Sequence, residues 1–316
     1  MKSWKKWLGT AVGVLLAGYF VFFVFDTLKA HELEKLLQPR FLAAICGAAL
    51  LNVVLIPLAG LAWSILLGSM GSYWPPTRLA AIIGCTQLAK YVPGNIAQHI
   101  GRTTVALMHG MTASVFMSSV LAETVLLLLA SLFTGALCLA LSPAPVPVLQ
   151  VSSVQLLAGL ALAVVVAAIA LPVLIRNVPR FIHRFRRSET TEPAALPVPS
   201  PGAAARAFAL YCLSYGVLGV SLWIIASQQE GLRHADLFTL TASFTLAWLT
   251  GFLAPGAPAG LGVREGALAL LLSAIGPREQ VLTIIIAARL ATMLGDALSF
   301  AIAAGYMKYG KRGAPA

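Results

Sequence analysis

The chain has 316 residues, 59% of them hydrophobic and only 10% charged, with a mean hydropathy of +0.87. A soluble globular domain is about a quarter charged, so this composition excludes a soluble enzyme or binding module and implies an integral membrane protein. The net charge of +11 does not point to nucleic acid, because the cationic residues sit mainly at the ends of apolar segments, where they set topology. Cys46, Cys85, Cys138 and Cys212 are scattered through apolar stretches, with neither metal-ligand spacing nor a disulfide framework.

A helix needs about 20 apolar residues to cross a bilayer. Six stretches meet or approach that length, at 7–25, 41–67, 114–141, 154–175, 207–227 and 281–306. The first follows Lys2, Lys5 and Lys6, and no small-residue cleavage site closes it, so it reads as a retained span and not as a signal peptide. Two further apolar regions are interrupted. Region 79–107 is broken by Lys90-Tyr91-Val92-Pro93-Gly94, and region 237–275 by Ala254-Pro255-Gly256-Ala257-Pro258-Ala259-Gly260-Leu261-Gly262. Most of the flanking pieces are too short to span alone. The expected fold is an all-α polytopic membrane bundle with about six full spans plus two broken or re-entrant helix hairpins.

With the N-terminus in the cytoplasm, thirteen Lys and Arg residues fall on the cytoplasmic side and five on the other. This is the positive-inside bias, and it puts both termini in the cytoplasm. Residues 176–206 combine a cluster of arginines with the proline-rich run from Thr191 to Gly202, which reads as a semi-extended linker whose arginines anchor on anionic lipid. The linker separates a first membrane half, 1–175, with its break near 90–102, from a second, 207–316, with its break near 254–265.

The two breaks can be superimposed as sequences. Pro93-Gly94 is followed by Gly101-Arg102, and Pro255-Gly256 by Gly260, Gly262 and Arg264, each arginine nine residues after its proline. Three full spans separate the broken regions, so the repeat is inverted. Inverted repeats with discontinuous helices build many transporters, with the substrate near the midplane, and irregular backbone at that depth must be buried in protein or line a wet cavity.

Sorting the charges by position leaves four basic residues within or beside the apolar regions: Lys90, Arg102, Arg264 and Arg289. Three acidic ones accompany them: Glu123, Glu265 and Asp296. A charge at mid-bilayer costs at least about 2.5–3.5 kcal/mol and normally faces a partner or a cavity. Arg289 and Asp296 are seven residues apart and share one helical face. Mutual neutralisation, for example of Glu123 by Arg289, competes with a binding role. The positive surplus at helix breaks, where backbone N–H groups favour anions, suits a phosphate-bearing amphipathic substrate. The candidate substrate-binding set is Lys90, Pro93, Gly94, Arg102, Glu123, Pro255, Gly256, Gly260, Gly262, Arg264, Glu265, Arg289 and Asp296; the sequence offers no catalytic or metal-binding set and calls for no cofactor. Trp4, Trp7, Tyr73, Trp74, Tyr306 and Tyr309 read as interfacial anchors.

Pro93-Gly94 with Gly101-Arg102, Glu123 in the next span, and above all the stretch from Pro255-Gly256 through Gly260-Leu261-Gly262-Val263-Arg264-Glu265-Gly266 with the later Ala288-Arg289-Leu290 resemble the flippase-like membrane region of bacterial lysylphosphatidylglycerol synthases. The resemblance covers nearly the whole chain. It implies a polytopic protein of the bacterial inner membrane that moves an anionic or aminoacylated phospholipid, or a polyprenyl-linked lipid, between leaflets. The cytosolic aminoacyl-transferase domain is missing from the sequence, so lysylphosphatidylglycerol synthesis is not expected. Thr124 follows Glu123 where the family often carries an arginine. The expected partners are a membrane lipid with a phosphate head group and a lipid- or glycan-synthesis enzyme, not nucleic acid. Two other readings stay open. One is a membrane-embedded lipid-modifying enzyme with Glu123 or His99 as general base. The other is a non-transporting partner of an envelope synthesis system.

Overall fold

The computed structural model describes residues 34, 36–91, 96–142, 197–232, 235–254 and 258–309. These fold into α-helices joined by turns and short 3-10 segments, with no β-strand among the described residues, so the all-α bundle expected from the apolar runs is what forms. The expected spans at 7–25 and 154–175, most of the 176–206 linker, and the Pro-Gly pairs at 93–94 and 255–256 lie outside the described residues.

Helices α1 (Pro39–Val53) and α2 (Leu55–Ser69) together form one 31-residue span. Pro57 has no N–H to offer the Val53 carbonyl, and its ring crowds that carbonyl. The helix therefore bends at Val54, whose backbone stays helical, and the Leu58 N–H reaches the Val54 carbonyl at 3.3 Å. A tight turn returns the chain as α3 (Pro76–Thr86), which tightens into a 3-10 turn at Gln87–Tyr91. Beyond the first break come α4 (Ile96–Met108) and the long α5 (Ala113–Leu141).

The second half opens with α6 (Pro201–Ala226). The Ser200 hydroxyl caps it by accepting the Ala203 N–H at 3.3 Å, and Pro201 occupies the first turn, where a missing N–H is harmless. Residues 201–206, linker by composition, are thus the helix's first turns. Asp236 caps α7 (Leu237–Leu253) by accepting the Thr239 N–H at 2.9 Å. After the second break, which holds a 3-10 turn at Pro258–Gly260, α8 (Val263–Leu272) and α9 (Arg278–Tyr309) complete the described fold. Among the described residues the order of a spanning helix, a helix-break-helix unit and a second spanning helix therefore occurs twice.

Among the described residues, four helices are long and apolar enough to cross a membrane: Pro39–Ser69, Ala113–Leu141, Pro201–Ala226 and Arg278–Lys308. They correspond to four of the expected spans. Trp74 departs from its expected role as an anchor: it is buried among Trp63, Leu67 and Leu79, whereas Tyr73 beside it is exposed.

Helix α6 runs through the centre, packed on α1, α2, α5 and α7 through Tyr211, Tyr215, Leu222 and Ile225. Apolar side chains gain little by leaving lipid for protein, so small residues and close fit hold such helices together. A Cβ on Gly219 of α6 would lie 1.9 Å from the Thr241 hydroxyl oxygen of α7, and one on Gly295 of α9 would lie 2.9 Å from the Ala49 carbonyl oxygen of α1. The second neighbour is backbone and cannot swing aside. Gly295→Val is therefore expected to cost about 1–3 kcal/mol of stability, read as a lower melting temperature in detergent. Gly68→Ala, whose added methyl meets nothing within 4 Å, should leave that temperature unchanged or slightly raised. Equal melting of Gly295→Val and wild type would contradict the close α1–α9 crossing.

Candidate functional site

Helix α4 folds back beside α5, and this brings Arg102 onto Glu123. The guanidinium binds the carboxylate through both arms, Nη1 to Oε1 at 2.9 Å and Nη2 to Oε2 at 2.5 Å. Both residues are only 6% exposed, so the pair is removed from water and lipid alike. The guanidinium also lies over the Trp63 indole, 3.7 Å from its ring centre, and the Trp63 N–H donates to the Ser119 hydroxyl at 2.9 Å. Planar stacking and a two-armed carboxylate contact both depend on arginine's flat fork. Thr124 stands aside, its hydroxyl donating to the Val120 carbonyl at 2.8 Å.

The 3-10 turn after α3 delivers three donors to one acceptor. The Asp296 carboxylate on α9 receives the Lys90 ammonium at 2.7 Å, the Tyr91 hydroxyl at 2.5 Å and the Gln87 side-chain amide at 2.9 Å. With three residues per turn, Gln87 and Lys90 fall one above the other, which explains how so short a segment converges on one carboxylate. The first break is thus fastened to α9.

The second break is fastened to the same helix. Two turns before Asp296 on α9, Arg289 reaches Glu265 of α8 at 3.3 Å and donates to the Ala259 carbonyl at 3.3 Å. Its guanidinium also lies 5.5 Å from the Tyr91 ring centre, so it touches elements of both breaks. The other Glu265 oxygen accepts the Gly262 N–H at 2.8 Å, closing the start of α8. Ala259, with φ 48°, and Gly260 and Gly262, with φ 70° and 81°, turn the chain here. A Cβ on Gly260 would approach the Gly251 Cα to 3.0 Å, so the break also packs tightly on α7.

Most of the expected charged residues are therefore brought together, but not in the pairing anticipated. Glu123 does not meet Arg289; it is taken by Arg102, its neighbour across the α4–α5 hairpin, while Arg289 faces α8 and takes Glu265. Three carboxylates bind Lys90, Arg102 and Arg289. Among the described residues no carboxylate lies within ion-pairing distance of Arg264, which sits half-buried in the first turn of α8 with its guanidinium 4.4 Å from the Phe244 ring centre. The positive surplus inferred from composition is concentrated on this one side chain, and Arg102, expected as its partner in phosphate binding, has its charge matched. Gly260, Gly262 and Glu265 shape the second break. Pro93, Gly94, Pro255 and Gly256 lie outside the described residues.

Sequence reasoning missed Gln87, Tyr91, Trp63 and Phe244. An amide three residues before Lys90 in an otherwise apolar run is the signal that marks the first of these; Trp63 lies near the Ser69 end of its span, where a tryptophan is ordinary. Phe244 carries no such signal.

Removing one partner of a buried ion pair strands the other charge. Glu123→Gln is expected to destabilise the protein by about 3–5 kcal/mol, while the double change Arg102→Leu with Glu123→Leu should recover most of that loss, both read by thermal unfolding in detergent. A Glu123→Gln protein as stable as wild type would mean that the pair is not formed in the membrane.

The chain matches the family described as lysylphosphatidylglycerol synthase TM region over residues 10–299. A comparison with curated proteins finds no match. The apolar spans and the family together make this a multi-pass membrane protein linked to lipid synthesis or flipping. With nearly its whole length matched, the chain belongs to the lysylphosphatidylglycerol synthase TM-region family.

Proposed function

We propose that the chain moves a lipid with an anionic, phosphate-bearing head group between the leaflets of a bacterial inner membrane. The substrate class is an anionic or aminoacylated phospholipid, or a polyprenyl-linked lipid. Both termini face the cytoplasm, and two inverted membrane halves, 1–175 and 207–316, meet at their broken helices. The matching order of elements in the two halves supports the repeat.

The observation that carries this reading is the charge left on Arg264 after three carboxylates bind three other cations. A cation half-buried at the start of a half-helix, beside backbone N–H groups that already favour anions, is suited to a head-group phosphate. The lipid's hydrocarbon stays in the bilayer while the head passes between the breaks. Asp296 and Arg289 hold one break each against the same face of α9, so exchange of their partners would let the halves shift between two arrangements, the kind of bistable element that switching requires. An enzyme in a lipid- or glycan-synthesis system would supply or consume the lipid.

The test is leaflet-resolved exchange of a labelled anionic phospholipid in proteoliposomes. Losing one charge-assisted contact of about 1.5–3 kcal/mol predicts that Arg264→Ala exchanges lipid about tenfold more slowly or worse. Arg264→Lys should fall between, because it keeps the charge and loses the fork. Wild-type exchange by Arg264→Ala would remove Arg264 from the mechanism, and a chemically new lipid product would favour the enzyme reading.

A further inference from the structure

The two breaks touch each other. The 3-10 turn Gln87–Tyr91 of the first packs on the 3-10 turn Pro258–Gly260 of the second. Cations from both halves stand beside the Tyr91 ring, its centre 5.5 Å from the Lys90 ammonium and 5.5 Å from the Arg289 guanidinium. Arg264 is near enough for its charge to act on Lys90, Tyr91 and Asp296. Among the described residues this junction therefore gathers three cations, Lys90, Arg264 and Arg289, around two carboxylates, Asp296 and Glu265. Three against two leaves a place for one anion.

The two cations that hold carboxylates here are not held alike. Arg289 is 2% exposed and tied both to Glu265 and to the Ala259 carbonyl. The Lys90 side chain is 25% exposed, and its ammonium sits on a flexible four-carbon stem. Breaking a buried ion pair is costly because it leaves the other charge bare. Lys90 can leave Asp296 without doing so: Oδ2 keeps the Tyr91 hydroxyl at 2.5 Å and Oδ1 keeps the Gln87 amide at 2.9 Å. Of the three donors on this carboxylate, only the lysine carries a charge that it could give to a ligand. We infer that Lys90 is the second ligand of the head-group phosphate: it turns from Asp296 to the phosphate that Arg264 holds, so that one phosphate bridges the two breaks. The inference rests on the lipid-moving reading above. It names the first-break cation that Arg102, locked to Glu123, cannot supply. A bound phosphate then removes one of the three contacts fastening the first break to α9, so that lipid binding loosens the element that has to shift.

The experiment measures binding of dioctanoylphosphatidylglycerol, a soluble anionic phospholipid, to the full chain in uncharged detergent by calorimetric titration, with the melting temperature as a check on folding. Lys90→Met is expected to weaken binding about tenfold or more, the loss of one charge-assisted contact. Asp296→Asn, which frees the ammonium, should not weaken it. The double change Lys90→Met with Asp296→Asn separates ligand from counter-ion. It strands no charge, so it should melt no lower than Lys90→Met and yet bind as weakly, and it carries the test if Lys90→Met fails to fold. Wild-type affinity in either protein lacking Lys90 would overturn the inference, as would equal affinity of the wild-type chain for dioctanoylglycerol, which has no phosphate. Unimpaired binding and exchange by Arg264→Ala would count against the lipid-moving reading itself. Impaired binding by Arg264→Ala beside unimpaired binding by Lys90→Met would count against the role of Lys90 alone.

Discussion

Asp296 governs how the middle of this molecule is built. A carboxylate in the interior of a spanning helix is costly unless it is matched, and here it is matched by three donors from the Gln87–Tyr91 turn. Satisfying it requires α3 to end in a 3-10 turn at the right depth and α9 to pass close beside it. The close approach is provided by small residues: a Cβ on Gly84 of α3 would come within 2.6 Å of the Ala303 methyl, and Gly295 lets α9 lie against α1. The polar contact and the small-residue packing need each other. Without the packing the turn could not reach the carboxylate, and without the carboxylate the turn would present Lys90 to hydrocarbon.

The same rule distributes the remaining charges and accounts for what could be read from the sequence. The four described spans and the two interrupted helical regions follow from hydropathy and from proline and glycine, which act locally, so that part of the element order was legible, whereas 201–206, expected as linker, are helical. The set of in-membrane charges was legible too, because a charge in an apolar run stands out whatever it touches. Its pairing was not. Glu123 is separated from Arg102 by a hairpin and Asp296 from Lys90 by most of the chain, and only the three-dimensional course of α4 and α9 decides which carboxylate each cation meets. Uncharged partners such as Tyr91 and Phe244 leave no trace in composition, because aromatic residues are ordinary in a spanning helix.

Matching has a consequence for the two arginines that follow the breaks. Arg102 and Arg264 each stand nine residues after the proline of a break, yet one is locked to a carboxylate and stacked on Trp63 while the other rests on Phe244 with no carboxylate in ion-pairing distance among the described residues. Arg102 is thereby structural in character, and Arg264 is left with net charge.

Helix α9 bears on both halves, and that shapes any movement between them. Its Arg289 reaches Ala259, Glu265 and the Tyr91 ring, and its Asp296 reaches the first break two turns further on. A rigid helix that holds both breaks cannot let one shift without altering the contacts of the other, because the two residues keep a fixed separation of about 10 Å along the axis. The breaks themselves are the compliant parts, the second one containing Ala259 in a left-handed conformation of the kind that stores about 1–3 kcal/mol of strain. A shift at one break therefore has to be accompanied by a change in the contacts of the other, transmitted through α9.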